Sequence, residues 1–244
     1  MMKQCKFSTW LILALITVTG LKAQELTVTY SAKLNTNSPD LFKEAGLPDQ
    51  MRQSLVNAYS NVELTYNMCY SNGESEFRQL PSDKKQEINF MGQKIDLNTM
   101  MAEQLKNVTY KNYKTNTLLN KTVFFGKTFL IKDTIQIESM EVVKGEKKEI
   151  LGYECQKAVS KDGANTIWFT EYIPIKAGPI DANVKGLILE ATMKEYIYLA
   201  TKVSDGVDHK ILPPSDGKVM TKKEFEEMVK KRTDMLKMGN NDPF

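Results

Sequence analysis

The chain has one histidine, His209, among 244 residues. Any Ser-His-Asp or Cys-His mechanism would have to use it. It sits in a polar stretch, Asp208-His209-Lys210, before Ile211-Leu212-Pro213-Pro214. The first reading of that context is a surface histidine; a Cys155–His209 nucleophile pair is the weaker one. Cysteines are equally scarce, three in all: Cys5, Cys69 and Cys155. No HExxH, no CxxC, no acidic calcium loop and no glycine-rich phosphate loop occurs, so no metal site and no cofactor is implied. Met235-x-x-Met238 has thioether spacing for Cu(I), but the methionines read mainly as core filler. The acidic run Glu224/Glu226/Glu227 reads as a solvated helix face with lysine partners.

The apolar runs are short as well. Trp10 to Val18 is the longest near the start, and a bilayer-spanning helix needs about 20 residues. Lys3 and Lys6 precede this run, Gly20 breaks it, and Ala23 offers a small residue before Gln24. Charged start, short apolar core and small-residue exit predict a signal peptide over residues 1–23 and an exported chain over 24–244. The destination is the periplasm, the outer membrane or the medium. Cys5 lies before the apolar run, so no lipid-anchoring cysteine follows it. No membrane span is expected after cleavage.

Residues 1–23 carry three of the 33 basic residues, Lys3, Lys6 and Lys22, and none of the 30 acidic ones. The remainder therefore has no net charge. This gives no electrostatic case for nucleic acid or an anionic membrane surface. Cys69 and Cys155 remain after cleavage. An oxidising compartment permits a disulfide between them; two separate buried thiols are the other reading.

Alternation dominates the rest. Leu26, Val28 and Tyr30 alternate with polar residues, and Val62, Leu64, Tyr66, Met68 and Tyr70 do so more strongly. Cys69 falls on the polar side of that second strand. A disulfide there needs something packed over that face. Ser38-Pro39-Asp40 predicts a helix start, with Met51, Leu55, Val56 and Tyr59 on one face. Met100, Met101 and Leu105 hint at a short helix. Strands are predicted over 108–113, 118–125, 128–131, 135–143, 149–159, 166–169, 187–194 and 196–204, with Lys144-Gly145-Glu146 as a hairpin turn. Thr221-Lys222-Lys223-Glu224 is a capping box opening a last helix through Leu236. Gly239 to Phe244 read as a frayed end. The fold class is therefore mainly β (α+β): one domain with an antiparallel curved sheet or half-barrel, packed helices and a C-terminal helix.

Residues 150–194 hold the most specific pattern: Gly152-Tyr153-x-Cys155-x-Lys157-Ala158, then Trp168-x-Thr170, Ile173-Pro174-Ile175, Gly178-Pro179 and Gly186-Leu187-Ile188. Together they resemble the GLPGLI family of exported Bacteroidetes proteins. The name motif differs, because Asn183-Val184-Lys185 stands before Gly186. The resemblance implies an exported protein of unassigned activity and supplies no catalytic residues. Physically, Gly186 would give a positive φ or let another backbone approach. Trp168 reads first as a core anchor, and Trp168, Tyr153 and Gly186 are the ligand-binding candidates. Asp133-Thr134-Ile135 resembles an O-glycosylation signal of exported Bacteroidetes proteins, which makes Thr134 a candidate; otherwise it is a turn. The expected function is non-catalytic binding of a lipid, another apolar ligand or an envelope protein partner. The alternative is an accessory envelope component beside an outer-membrane transporter. A hydrolase ranks third.

Overall fold

The computed structural model describes residues 25–39, 41–42, 48–84, 86–90 and 92–237. The predicted signal peptide, Met238 and the predicted frayed end lie outside the described residues.

Among the described residues there are fourteen strands and three α-helices. The strands are β1 (Glu25–Leu34), β2 (Glu63–Ser71), β3 (Glu74–Leu80), β4 (Glu87–Phe90), β5 (Gln93–Asp96), β6 (Val108–Asn112), β7 (Thr117–Phe124), β8 (Lys127–Thr134), β9 (Met140–Ile150), β10 (Tyr153–Ser160), β11 (Thr166–Thr170), β12 (Leu187–Thr192), β13 (Tyr196–Asp205) and β14 (Lys218–Thr221). The helices are α1 (Asp49–Tyr59), α2 (Leu97–Met100) and α3 (Lys222–Lys237). Twelve strands form one sheet in the order β14-β8-β7-β6-β3-β2-β1-β13-β12-β11-β10-β9, and β4 and β5 form a separate hairpin. Its two ends, β14 and β9, do not pair, so the curved sheet does not close into a barrel. Among the described strands, all pairings are antiparallel except β14 with β8. The mainly-β expectation with a C-terminal helix stands.

Local chemistry explains the hairpins. Asn72-Gly73, Phe125-Gly126 and Leu151-Gly152 all have positive φ at both residues. That is the two-residue turn whose twist matches the flanking strands. The predicted turn at Lys144-Gly145-Glu146 is not one: β9 runs through it to Ile150. Gly145, at φ 82°, instead sits where the β9–β10 register shifts between Gln156 and Ala158. Similar shifts occur at Thr29/Tyr30 against β13 and at Trp168/Phe169 against β12. Bulges of this kind bend strands and increase local twist, which curves the sheet. The first described α-helix begins at Asp49, and Ser38 is not a helix start.

The main core lies on one side of the central strands. Leu26, Val28, Tyr30, Met68, Cys155, Leu187 and Leu189 are buried there, and Ile175 and Ala177 fold onto them from the β11–β12 connection. Tyr30 donates a buried hydrogen bond of 2.7 Å to the Ile188 carbonyl. Tyr66 stacks on Phe77 at 5.2 Å, and Tyr198 meets both rings edge-on. At the margin of this core, Lys111 and Asp181 form an ion pair of 2.6 Å, and the Tyr113 hydroxyl donates to Asp181 at 3.1 Å.

The last helix is capped as the sequence predicts. The Glu224 N–H donates to Thr221 Oγ1 at 3.2 Å, and the Thr221 N–H donates to Glu224 Oε2 at 2.7 Å. Phe225 then packs against Phe124 and Phe129.

Candidate active-site cleft

The other face of the sheet carries a row of directly paired residues. Thr27 on β1 pairs with Cys69 on β2, Cys69 with Glu76 on β3, and Glu76 with Tyr110 on β6. Period-2 alternation puts all four on the side opposite Leu26, Met68 and Phe77. The segment after β13 crosses over this row. Gly206, at φ 81°, turns the chain, and its N–H donates to the Glu25 carbonyl at 2.9 Å. Thr27 Oγ1 donates to the Gly206 carbonyl at 2.9 Å and fixes the start of the crossing. Val207 and Ile211 then pack on Cys69, Tyr110 and Leu119.

This packing aims His209 inward. Its Nε2 lies 3.2 Å from Glu76 Oε1, and its Nδ1 lies 2.6 Å from Asp208 Oδ1. Arg78 Nε lies 3.2 Å from the same Glu76 oxygen. The Glu76 side chain is 11% exposed and that of His209 31%. The surface-histidine reading is therefore corrected: His209 is half-buried and bridges two carboxylates. The Cys155–His209 pair is corrected too, because Cys155 lies in the core on the opposite side of the sheet.

Beside the histidine opens a cleft of about 480 Å³ lined by Glu25, Ser71, Asn72, Glu74, Asp208 and His209 among others. The Tyr110 hydroxyl donates to Glu74, and Asn112 Nδ2 donates to the same oxygen at 3.1 Å. The hydrogen bond from His209 holds the Asp208 carboxyl below the usual carboxylate range. Burial pushes the Cys69 thiol up, so it is not a ready thiolate nucleophile. The arrangement offers proton acceptors and donors rather than a nucleophilic side chain. A larger groove of about 1120 Å³ lies at the opposite end of the β2–β3 hairpin, between α1 and the β4–β5 hairpin. Asn57, Asn61, Ser82, Gln86 and Asn89 give it amide and hydroxyl walls.

The residues singled out from sequence lie elsewhere. Cys69 and Cys155 are both buried and free. They face opposite sides of the sheet, so no disulfide joins them. Trp168 and Tyr153 are half-buried against the main core. Lys148 Nζ sits 4.3 Å from the Trp168 ring centroid and pairs with Glu190 at 2.5 Å. Gly186 does not use a positive φ. It admits another backbone: a Cβ there would lie 2.0 Å from the Thr170 carbonyl oxygen. Thr134 ends β8 and is exposed, with its N–H donating to Asp133 Oδ1 at 2.8 Å. Met235 lies on α3 near Met228 and Arg232.

Residues 82–230 match the family described as N-glycanase peptide, N-terminal domain. The chain belongs to this family. The match corrects the GLPGLI resemblance. The residues that carried it are turn and core positions here: Gly152 in a hairpin turn, Cys155 and Ile175 in the core, Gly186 against a backbone. A solved structure of PNGF-II is similar in fold, and a second was compared with it. The C2 crystal form has 16% identity and a TM-score of 0.51, covering 86% of this chain and 33% of that one. The P21 form has 17% identity and a TM-score of 0.49, covering 86% and 34%. The chain thus spans about a third of the length of PNGF-II. No curated protein matches it. The expectation of a non-catalytic carrier or accessory envelope component is overturned by the family match. The reading of the chain as exported is consistent with it. No described helix is long and apolar enough to cross a membrane.

Proposed function

We propose that this chain has an N-glycanase-related function: it serves the hydrolytic removal of N-linked glycans from proteins and takes the glycosylated asparagine at the cleft beneath His209. The observation that carries this reading is the family match over residues 82–230. The chemistry of the cleft agrees with it. Hydrolysis adds water to the asparagine side-chain carbonyl, breaks the C–N bond, and leaves aspartate and a glycosylamine. It needs a base for the water and an acid for the departing nitrogen. His209, set between Glu76 and Asp208, supplies the first role. Lys210, which lines the same cleft, supplies the second. We place the reaction outside the cytoplasm, in the periplasm or beyond.

The test is direct. The exported chain is incubated with an N-glycosylated peptide, and mass spectrometry follows conversion of asparagine to aspartate with release of the glycan. Conversion is expected, and His209→Ala should slow it by about 10²–10⁴-fold, the range for losing a positioned acid–base group. Absence of conversion, with no retention of the glycopeptide by the protein, would sink the reading. Conversion unaffected by His209→Ala would move it away from this cleft.

A further inference from the structure

We propose that Cys69, Asp208 and His209 form a divalent-metal site of the zinc class, with three protein ligands and a fourth position open to the cleft. One ligand atom from each of these residues lies within 4.8 Å of the others. A thiol, an imidazole and a carboxylate together are a mixed, borderline-soft set. It suits zinc and disfavours calcium and magnesium, which prefer oxygen ligands throughout. Three protein ligands with one open position is the arrangement of catalytic rather than structural zinc.

The surroundings fit a ligand set rather than a chance encounter of side chains. Cys69 is 2% exposed and is held under Val207 and Ile211, which keep water from the sulfur. Thr27 lies 3.8 Å from Cys69 Sγ and also anchors the segment that brings Asp208 and His209 over it. A metal-bound histidine needs its second nitrogen tied to a carboxylate or carbonyl, which fixes the ring. Here Nδ1 is turned towards Asp208 and Nε2 reaches Glu76 at 3.2 Å. With the metal between Nδ1, Asp208 and Cys69, Glu76 is the orienting carboxylate, with the Arg78 charge 3.2 Å from its Oε1. On binding, the Cys69 sulfur exchanges its proton for the metal, and the proton leaves to solvent.

This rests on the N-glycanase-related reading of the same cleft and deepens it: with a metal bound, both His209 nitrogens would be engaged, and activation of the water would pass from the His209 ring to the open metal position. The test reads metal rather than glycan. The exported chain, freed of metal with a chelator, is titrated with Co²⁺ and then with Zn²⁺. One equivalent of Co²⁺ should give a thiolate-to-cobalt charge-transfer band, and Zn²⁺ should displace it. Cys69→Ser should abolish the band and Cys155→Ser should leave it. Glu76→Gln should weaken zinc binding by about 10–100-fold, the range for losing an orienting partner. If Cys69→Ser fails to fold, His209→Ala carries the same test and should weaken binding by at least about tenfold. No band in the unaltered chain, or a band insensitive to both Cys69→Ser and His209→Ala, overturns the proposal. Zinc binding with neither glycan release nor glycopeptide retention would sink the N-glycanase reading alone. Glycan release by a chain that binds no zinc would sink the metal site alone.

Discussion

Gly186 gives the sharpest test of the packing. A Cβ added there would stand 2.0 Å from the Thr170 oxygen, 2.7 Å from the Thr170 carbonyl carbon and 3.2 Å from the Glu171 Cα. Favourable carbon–carbon contacts are about 3.5–4.0 Å. Relief therefore requires a movement of at least about an ångström, and the obstacle is backbone rather than a side chain that can swing away. Thr170 and Leu187 are themselves fully buried and pair with each other across β11 and β12. Overpacking a well-filled site costs about 1–3 kcal/mol, occasionally more. With rigid obstacles, Gly186→Ala belongs at the upper end, about 3 kcal/mol. For a domain of this size that is a fall in Tm of about 6–12 °C. Gly152→Ala is the control: φ there is +81° and nothing lies within 4 Å of the added carbon. It carries only left-handed backbone strain, about 1–2 kcal/mol. Both variants are compared by urea and thermal unfolding. A Gly186→Ala protein no less stable than Gly152→Ala would refute the close-approach argument.

Two further perturbations probe the interior. Removing one partner of the Lys111–Asp181 pair, whose side chains are 10% and 11% exposed, leaves a buried charge. Lys111→Met should cost about 3–5 kcal/mol, and Lys111→Met with Asp181→Leu should recover much of it; a denaturation double-mutant cycle reads both. Burial pushes the Cys155 thiol up to about 11 from its ordinary 9.0. The folded state then keeps a proton that the unfolded chain loses, so this contribution is intact below pH 9 and lost as pH rises to about 11. The stability difference between the protein and Cys155→Ala should narrow across that window; a constant difference would show that Cys155 does not titrate as argued.

Much of the fold was legible because the strands that build the core alternate. Leu26, Val28 and Tyr30 announce β1, and Leu64, Tyr66 and Met68 announce β2. The unpredicted β3 has charged residues, Glu74, Glu76 and Arg78, in alternation with Ser75, Phe77 and Gln79. Its apolar period is thin, although Asn72-Gly73 before it is a strong hairpin signal and would have located it. Leu151-Gly152 gave no such signal, since a leucine at positive φ is set by the strands around it rather than by its own preference. Gly145 misled for the opposite reason: glycine serves a bulge as well as a turn.

The candidate site was illegible for a topological reason. Cys69, Glu76 and His209 come together because β2 neighbours both β1 and β3, while the end of β13, beside β1, returns the chain over their outer face. No local spacing records that adjacency. One clue did stand in the sequence: Cys69 lies on the polar side of an otherwise clear strand, so its burial demands a cover. The cover is the 206–211 segment, which brings a histidine and an aspartate instead of a second cysteine. A thiol buried on the polar face of a sheet therefore points first to the chain that crosses it. In this protein that chain carries the one histidine, which is why the same residue decides both the hydrolytic reading and the metal site.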